Sequence, residues 1–115
     1  MEVFTKNKKL GAALMDERVC QQRFGTIMAK KLKIRVGELR AAESLATFWP
    51  PRSPPERCHE LKGDRRGTFS IDLNHPYRLL FKPNEDDPPQ DRSNEQEHWA
   101  SINKIELIKI EDTHG

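Results

Sequence analysis

Thr68-Phe69-Ser70-Ile71-Asp72-Leu73, then Asn74-His75-Pro76, then Tyr77-Arg78-Leu79-Leu80-Phe81-Lys82, reads as a β-hairpin. Phe69, Ile71 and Leu73 alternate with other residues, and so do Tyr77, Leu79 and Phe81. Period two is the strand period, and Asn-His-Pro is a turn composition. Pro83 closes the second run. The same alternation sends Arg78 away from the face that carries Tyr77, Leu79 and Phe81.

Just upstream lies Cys58-His59-Glu60-Leu61-Lys62-Gly63-Asp64-Arg65-Arg66-Gly67. It gathers a His, a Lys and two Arg around two turn-forming glycines. A polar turn feeding a hairpin is a rigid mount for basic side chains, and a phosphodiester is a target that suits them. Plainer readings stand beside this one. Lys62-Gly63-Asp64 is also what any turn requires, and Arg78 is also what a solvated strand position carries.

The N-terminal half reads as helix after a short strand at 2–5. Residues 7–15 have Leu10, Leu14 and Met15 at helical spacing. A longer helix starts at the N-cap Asp16. Its apolar positions Cys20, Phe24, Ile27, Met28, Leu32, Val36 and Leu39 step by threes and fours, which is one face of a packed helix. Arg18, Gln22, Lys30, Lys33 and Arg40 take the opposite face. Gly25 and Gly37 each cost about 1 kcal/mol relative to Ala and mark possible breaks. Leu45 and Phe48 extend the stripe, and Pro50-Pro51 with Pro54-Pro55 must end it.

Beyond the hairpin, residues 84–98 are Pro-rich and acidic, the composition of a mobile loop. Residues 102–111 form a last strand. Its apolar phase slips between Ile105/Leu107 and Ile108/Ile110, which predicts a bulge or burial on both sides. Helices followed by a meander make an α+β domain, with N-terminal helices packed on a small twisted antiparallel sheet. The length of 115 residues suits a single domain.

The net charge of +2 conceals an asymmetry. Residues 84–98 hold six acids and one base, or −5, so the remainder carries +2 − (−5) = +7. A basic body favours nucleic acid or an acidic protein partner. No apolar run approaches the roughly 18 residues of a membrane span, and the N-terminus has no secretory pattern. A cytoplasmic protein is expected, with no membrane partner. Cys20 and Cys58 are far apart in sequence and are expected as free thiols. With His59 they lack zinc-ligand spacing, so no metal or cofactor is expected. Trp49 and Trp99 read as core or loop anchors, and His75 as a hairpin-loop residue.

The chain resembles the HigB-type toxins of the RelE/ParE toxin–antitoxin superfamily. The resemblance rests on His59-x-Leu61-Lys62-Gly63-Asp64-Arg65-x-Gly67, Phe69-Ser70-Ile71, Tyr77-Arg78-Leu79-Leu80-Phe81 and Ile108-Lys109-Ile110-Glu111-Asp112-Thr113-His114. Gly37-Glu38-Leu39-Arg40-Ala41-Ala42 also looks like the longer members. The match spans most of the chain except the acidic segment. It implies ribosome-dependent cleavage of mRNA, inhibition of translation, and neutralisation by a HigA-like helix-turn-helix antitoxin. Operator DNA would be met only through the toxin–antitoxin complex. By position, His59, Lys62, Arg78, Asp112 and His114 fall on catalytic places. Arg65 and Arg66, with Lys62, fall on phosphate-facing basic ones. The chain departs from many relatives at Thr113, where they carry Tyr, and at Arg66, where some carry an acid.

Such a set suits RNA cleavage by 2′-OH attack. That reaction needs a base, cations for the crowded phosphorane, an acid for the leaving 5′-oxygen and an in-line substrate, without a metal. The expected base is His114 or Asp112, helped by His59, with Arg78 and Lys62 stabilising charge. Two other readings remain: a ParE-like toxin directed at DNA gyrase, and a non-catalytic regulatory protein of the same fold.

Overall fold

The computed structural model describes residues 1–85 and 92–113. Strand β1 (Glu2–Thr5) leads into helix α1 (Lys8–Met15) and helix α2 (Glu17–Ala41). Asn7 caps α1 by accepting from the Leu10 amide at 3.1 Å. Asp16 ends α1 and caps α2, accepting from the Arg18 amide at 2.9 Å.

Of the two glycines that sequence marks in α2, Gly25 makes the break, with φ +82°. That region of backbone space suits Gly because it has no Cβ. The break resets the phase of the apolar stripe. Cys20, Met28, Leu32, Val36 and Leu39 are buried as expected, whereas Ile27 is 73% exposed. The helix stops at Ala41, where Ala42 turns extended. A 3-10 turn (Leu45–Phe48) capped by Ser44 follows, so Leu45 and Phe48 still reach the core without being helical.

Strands β2 (His59–Glu60), β3 (Phe69–Asp72), β4 (Tyr77–Pro83) and β5 (Lys104–Asp112) form the antiparallel meander. Strand β1 adds to it parallel to β5, so the five-stranded sheet is mixed, in the order β1-β5-β4-β3-β2. The expected phase slip is a bulge. Leu80 pairs with Lys109 but Phe81 pairs with Leu107, leaving Ile108 as the extra residue.

Phe69, Ile71, Leu79, Phe81, Ile105 and Leu107 are fully buried, in one core with Leu10, Leu32 and Leu39 of the helices. Phe69 and Phe81 are cross-strand partners with ring centroids 5.8 Å apart. Trp99 meets Phe69 and Trp49 edge-on at 5.6 and 5.0 Å. The tryptophans are therefore the anchors expected of them. Cys20 and Cys58 are free and buried.

The loop expected over 84–98 needs correction at its C-terminal end. Helix α3 (Glu95–Ser101) begins there, capped by Asn94, which accepts from the Glu97 amide at 3.0 Å. Its short sequence offers one large apolar residue, Trp99, and burying that indole against the core holds the helix in place. His98 is buried beside it, its Nε2 2.9 Å from Glu85. Residues 86–91, the rest of the expected loop, lie outside the described residues. Among the described residues no helix is long and apolar enough to cross a membrane.

Candidate active site

Strand register decides which side chains can meet. His59 pairs with Ser70, Ser70 with Leu80, Asp72 with Arg78, and Arg78 with Glu111. These residues share the sheet face turned away from the helical core, because side chains alternate along each strand. Leu80, on the same face, is 2% exposed. A cleft of about 570 Å³ opens on this side. His59, Lys62, Arg78, Arg52, Arg57, Asp72, His75 and Thr113 line it, with Glu60 and Leu61.

His59 has a defined tautomer. Its Nδ1 lies 2.8 Å from the Arg57 carbonyl oxygen. A carbonyl only accepts, so Nδ1 carries the hydrogen, and a neutral ring presents an Nε2 lone pair. Burial pushes the imidazole below its ordinary pKa, and the Arg52 and Arg78 charges push the same way. The bond to the Arg57 carbonyl and the Asp72 charge oppose this and are outweighed. His59 is thus uncharged at neutral pH.

Arg78 is held by Glu111, whose Oε2 lies 2.9 Å from Nε and 2.5 Å from Nη2. The other oxygen, Oε1, accepts from Arg65 Nη2 at 2.8 Å. Burial alone would raise the Glu111 pKa, but the bonds from Arg78 and Arg65 hold it below the usual carboxylate range. Arg65 is therefore tied to Arg78 through a shared carboxylate. Glu111 is not a residue that the sequence motifs single out, although counting alternation through the bulge pairs it with Arg78.

Lys62 is exposed at the start of a 3-10 turn (Gly63–Arg65). Gly63 has φ +70°, and the turn closes with Arg66 N donating to Gly63 O at 3.1 Å. Glu60 secures its base, because Oε2 accepts from the Gly67 amide at 2.8 Å. Glu60 also receives a two-pronged bond from Arg92, whose Nη2 donates to Oε1 and whose Nη1 donates to Oε2 at 3.0 Å. Arg92 bonds Glu95 as well, at 2.7 Å. An arginine from within the acidic segment thus straps the turn that carries Lys62.

Two expected members stand elsewhere. Arg66 lines a separate hollow with Glu60, Lys62, Arg92 and Glu95. Asp112 does not join Arg78. It pairs with Tyr77, on the helix-facing side, and lines a hollow with Phe24, Gly25 and Ile27. Alternation is the reason: Lys109 and Glu111 share the Arg78 face, so Ile110 and Asp112 cannot. His114 lies outside the described residues. Thr113, the departing position, donates both its amide (3.0 Å) and its Oγ1 (2.8 Å) to the Pro76 carbonyl.

Arg52, Arg57 and His75 are cleft residues to which sequence reading gives no site role. The arginines sit in a Pro-rich stretch with no periodicity to reveal a face. His75 sits in the β3–β4 turn, where a loop role is the simplest expectation. Among the described residues no His, Cys, Asp and Glu side chains gather as a metal-binding group. The Cys58 thiol, fully buried, is pushed up to about 12 and is inert.

No family model matches the chain, and no curated protein does. Solved structures share its fold, among them the following two. A YoeB/ParE toxin from Agrobacterium tumefaciens is 15% identical, with a TM-score of 0.55 over 97% of this chain and 98% of that one. A YoeB–YefM complex from Staphylococcus aureus gives 14% identity and a TM-score of 0.54, over 96% and 94% of the two chains. The likeness is one of fold.

Proposed function

We propose that this protein is the toxin of a type II toxin–antitoxin pair and cuts mRNA on the ribosome by metal-independent 2′-OH attack. The observation that carries this reading is the convergence of His59, oriented by the Arg57 carbonyl 2.8 Å from its Nδ1, with Lys62 and Arg78 in one cleft. We give the base role to His59, the cleft imidazole with an oriented ring, because Asp112 faces the helices and His114, the other expected base, lies outside the described residues. Nε2 takes the 2′ proton, the 2′-oxygen bonds to phosphorus, and the bond from phosphorus to the 5′-oxygen breaks. The products are a 2′,3′-cyclic phosphate and a 5′-hydroxyl. Arg78 and Lys62 stabilise the phosphorane charge. We assign the proton for the leaving oxygen to His75, the second imidazole lining the cleft. Arg65 holds Glu111 and, through it, sets Arg78.

One fold neighbour is a YoeB/ParE toxin, and another is a YoeB–YefM complex. By the same logic this chain is neutralised by an antitoxin, of the helix-turn-helix HigA type that the sequence resemblance implies. The test is induced expression followed by mapping of new 5′ ends on translated mRNA. Growth arrest with new ends is expected, and His59→Ala, Lys62→Ala or Arg78→Ala should relieve both. Arrest without new ends would overturn ribonuclease action in favour of a gyrase-directed toxin. Harmless expression of the folded wild type would leave a regulatory protein.

A further inference from the structure

We propose that Arg52 and Arg57 form a second phosphate subsite, which holds the RNA backbone one nucleotide away from the phosphate at Arg78. The inference rests on reading the cleft as an RNA-cleaving site and adds how the strand is aligned in it. Both arginines line the same cleft as His59 and Arg78, and both are exposed to solvent.

Their backbone is unusual. Arg52 has φ +68° and Arg57 has φ +51°, a region that side-chain-bearing residues seldom adopt. Local bonds hold them there. The Arg52 amide donates to the Cys58 carbonyl at 3.0 Å, and the Arg57 amide to the Ser53 carbonyl at 2.8 Å. Ser53 Oγ donates to the Pro50 carbonyl at 2.6 Å. Four prolines (Pro50, Pro51, Pro54 and Pro55) stiffen the stretch, and Cys58, fully buried, anchors its end. Strained positions persist where the surrounding structure enforces them, and they cluster at functional sites. The loop therefore presents two guanidinium groups on a fixed frame.

The charge balance points the same way. Two carboxylates line the cleft, Glu60 and Asp72. Glu60 is engaged by Arg92, and Asp72 meets Arg57 at 3.5 Å through half-exposed side chains. Arg52, Arg57, Lys62 and Arg78 outnumber these two even when Glu111, which holds Arg78, is added. Arg52 and Arg78 line the same cleft as His59, so cations reach the proposed base's cleft from two chain segments. One scissile phosphate is served by Arg78 and Lys62. The Arg52/Arg57 pair is left to grip a neighbouring phosphate, and two fixed phosphates define the line of attack.

The test uses the full chain and two uncleavable 2′-O-methyl RNA probes: a dinucleotide with one phosphodiester, and a hexanucleotide. Arg52→Ala with Arg57→Ala should weaken hexanucleotide binding about tenfold. The double substitution should also flatten the slope of log affinity against log salt by roughly 0.7 per phosphate no longer neutralised, while dinucleotide binding stays at the wild-type level. Arg78→Ala should weaken both probes. Arg52→Ala alone leaves the Arg57–Asp72 pair in place and should still weaken the hexanucleotide, which separates loss of charge from disturbance of the loop. Unchanged hexanucleotide binding, or equal weakening of both probes, overturns the subsite. Cleavage by the His59→Ala variant at the wild-type rate would instead strike the catalytic reading, a separate result.

Discussion

Glu111 accepts from Arg78 Nε at 2.9 Å and from Nη2 at 2.5 Å, so the proposed phosphorane-binding cation already holds a carboxylate. The same carboxylate reaches Arg65 at 2.8 Å and Lys109 at 3.9 Å. It fixes the guanidinium and at the same time lowers the positive potential that RNA meets. Glu111→Gln separates the two effects. Loss of charge-assisted bonds should destabilise the fold by about 1–3 kcal/mol, while RNA affinity at low salt should rise by about threefold or more. Chemical denaturation and anisotropy titration read the two changes, and affinity falling with stability would refute the screening role.

The depressed Glu111 carboxyl also sets an acid limit. A group whose folded pKa lies below its unfolded value, about 4.3 for Glu, gives its full stabilisation above that value and loses it as pH falls through the folded one. Melting temperature should therefore be flat with respect to this group from about pH 6 to 8 and fall in acid. Glu111→Gln should show a shallower acid decline than the wild type. Glu60, held below the carboxylate range by Arg92, the Gly67 amide and Arg66 against the opposing effect of burial, acts in the same direction.

His59 predicts the pH profile of cleavage. Its pKa lies below the ordinary value of 6.5, so single-turnover rate should rise through the mildly acidic range and level off by neutrality. Arg52→Ala removes one of the charges that lowers it, and the acid limb should move to higher pH. His59→Ala should cost about a hundredfold or more. An acid limb that stays put in Arg52→Ala would detach the base from His59.

The strap of Arg92 across Glu60 predicts a local loss. Arg92→Ala leaves a half-buried carboxylate without its two-pronged partner and should cost about 1–3 kcal/mol. The effect should centre on the Lys62 turn, where the Gly67 amide donates to Glu60. Faster hydrogen exchange at Gly67, with Ile71 and Leu79 protected as before, is the expected pattern.

Gly25 allows a test of backbone conformation alone. A Cβ added there meets nothing within 4 Å, yet φ is +82°. Gly25→Ala should therefore destabilise by roughly 1–2 kcal/mol through backbone strain. A neutral or stabilising result would mean that α2 can run straight at no cost.

Much of this architecture is legible in the chain. Alternation identifies the hairpin and the phase slip at Ile108, and the capping residue Asp16 announces the long helix. What sequence obscures has definite causes. Glu95–Ser101 is short and polar, and only the burial of Trp99 makes it a helix. Ile27 fits a stripe that the Gly25 break interrupts. Within the candidate site, His59, Lys62 and Arg78 do share one cleft. Asp112 misleads because motif proximity ignores strand parity, and Glu111 is the residue that parity selects. Arg52 and Arg57 are hidden because their cleft position depends on irregular backbone, which leaves no periodic trace.

The parallel pairing of β1 with β5 has a consequence for the timing of assembly. Thr5 Oγ1 donates to the carbonyl of Leu107, 102 positions later. Glu111, which sets the arginine pair, lies on the same late strand. Pairings of such separation form slowly, because a long chain must first be closed. A nascent polypeptide still missing β5 has neither a complete sheet nor a fixed Arg78. Until β5 docks, the sheet is incomplete and Glu111 is not in place to hold Arg78.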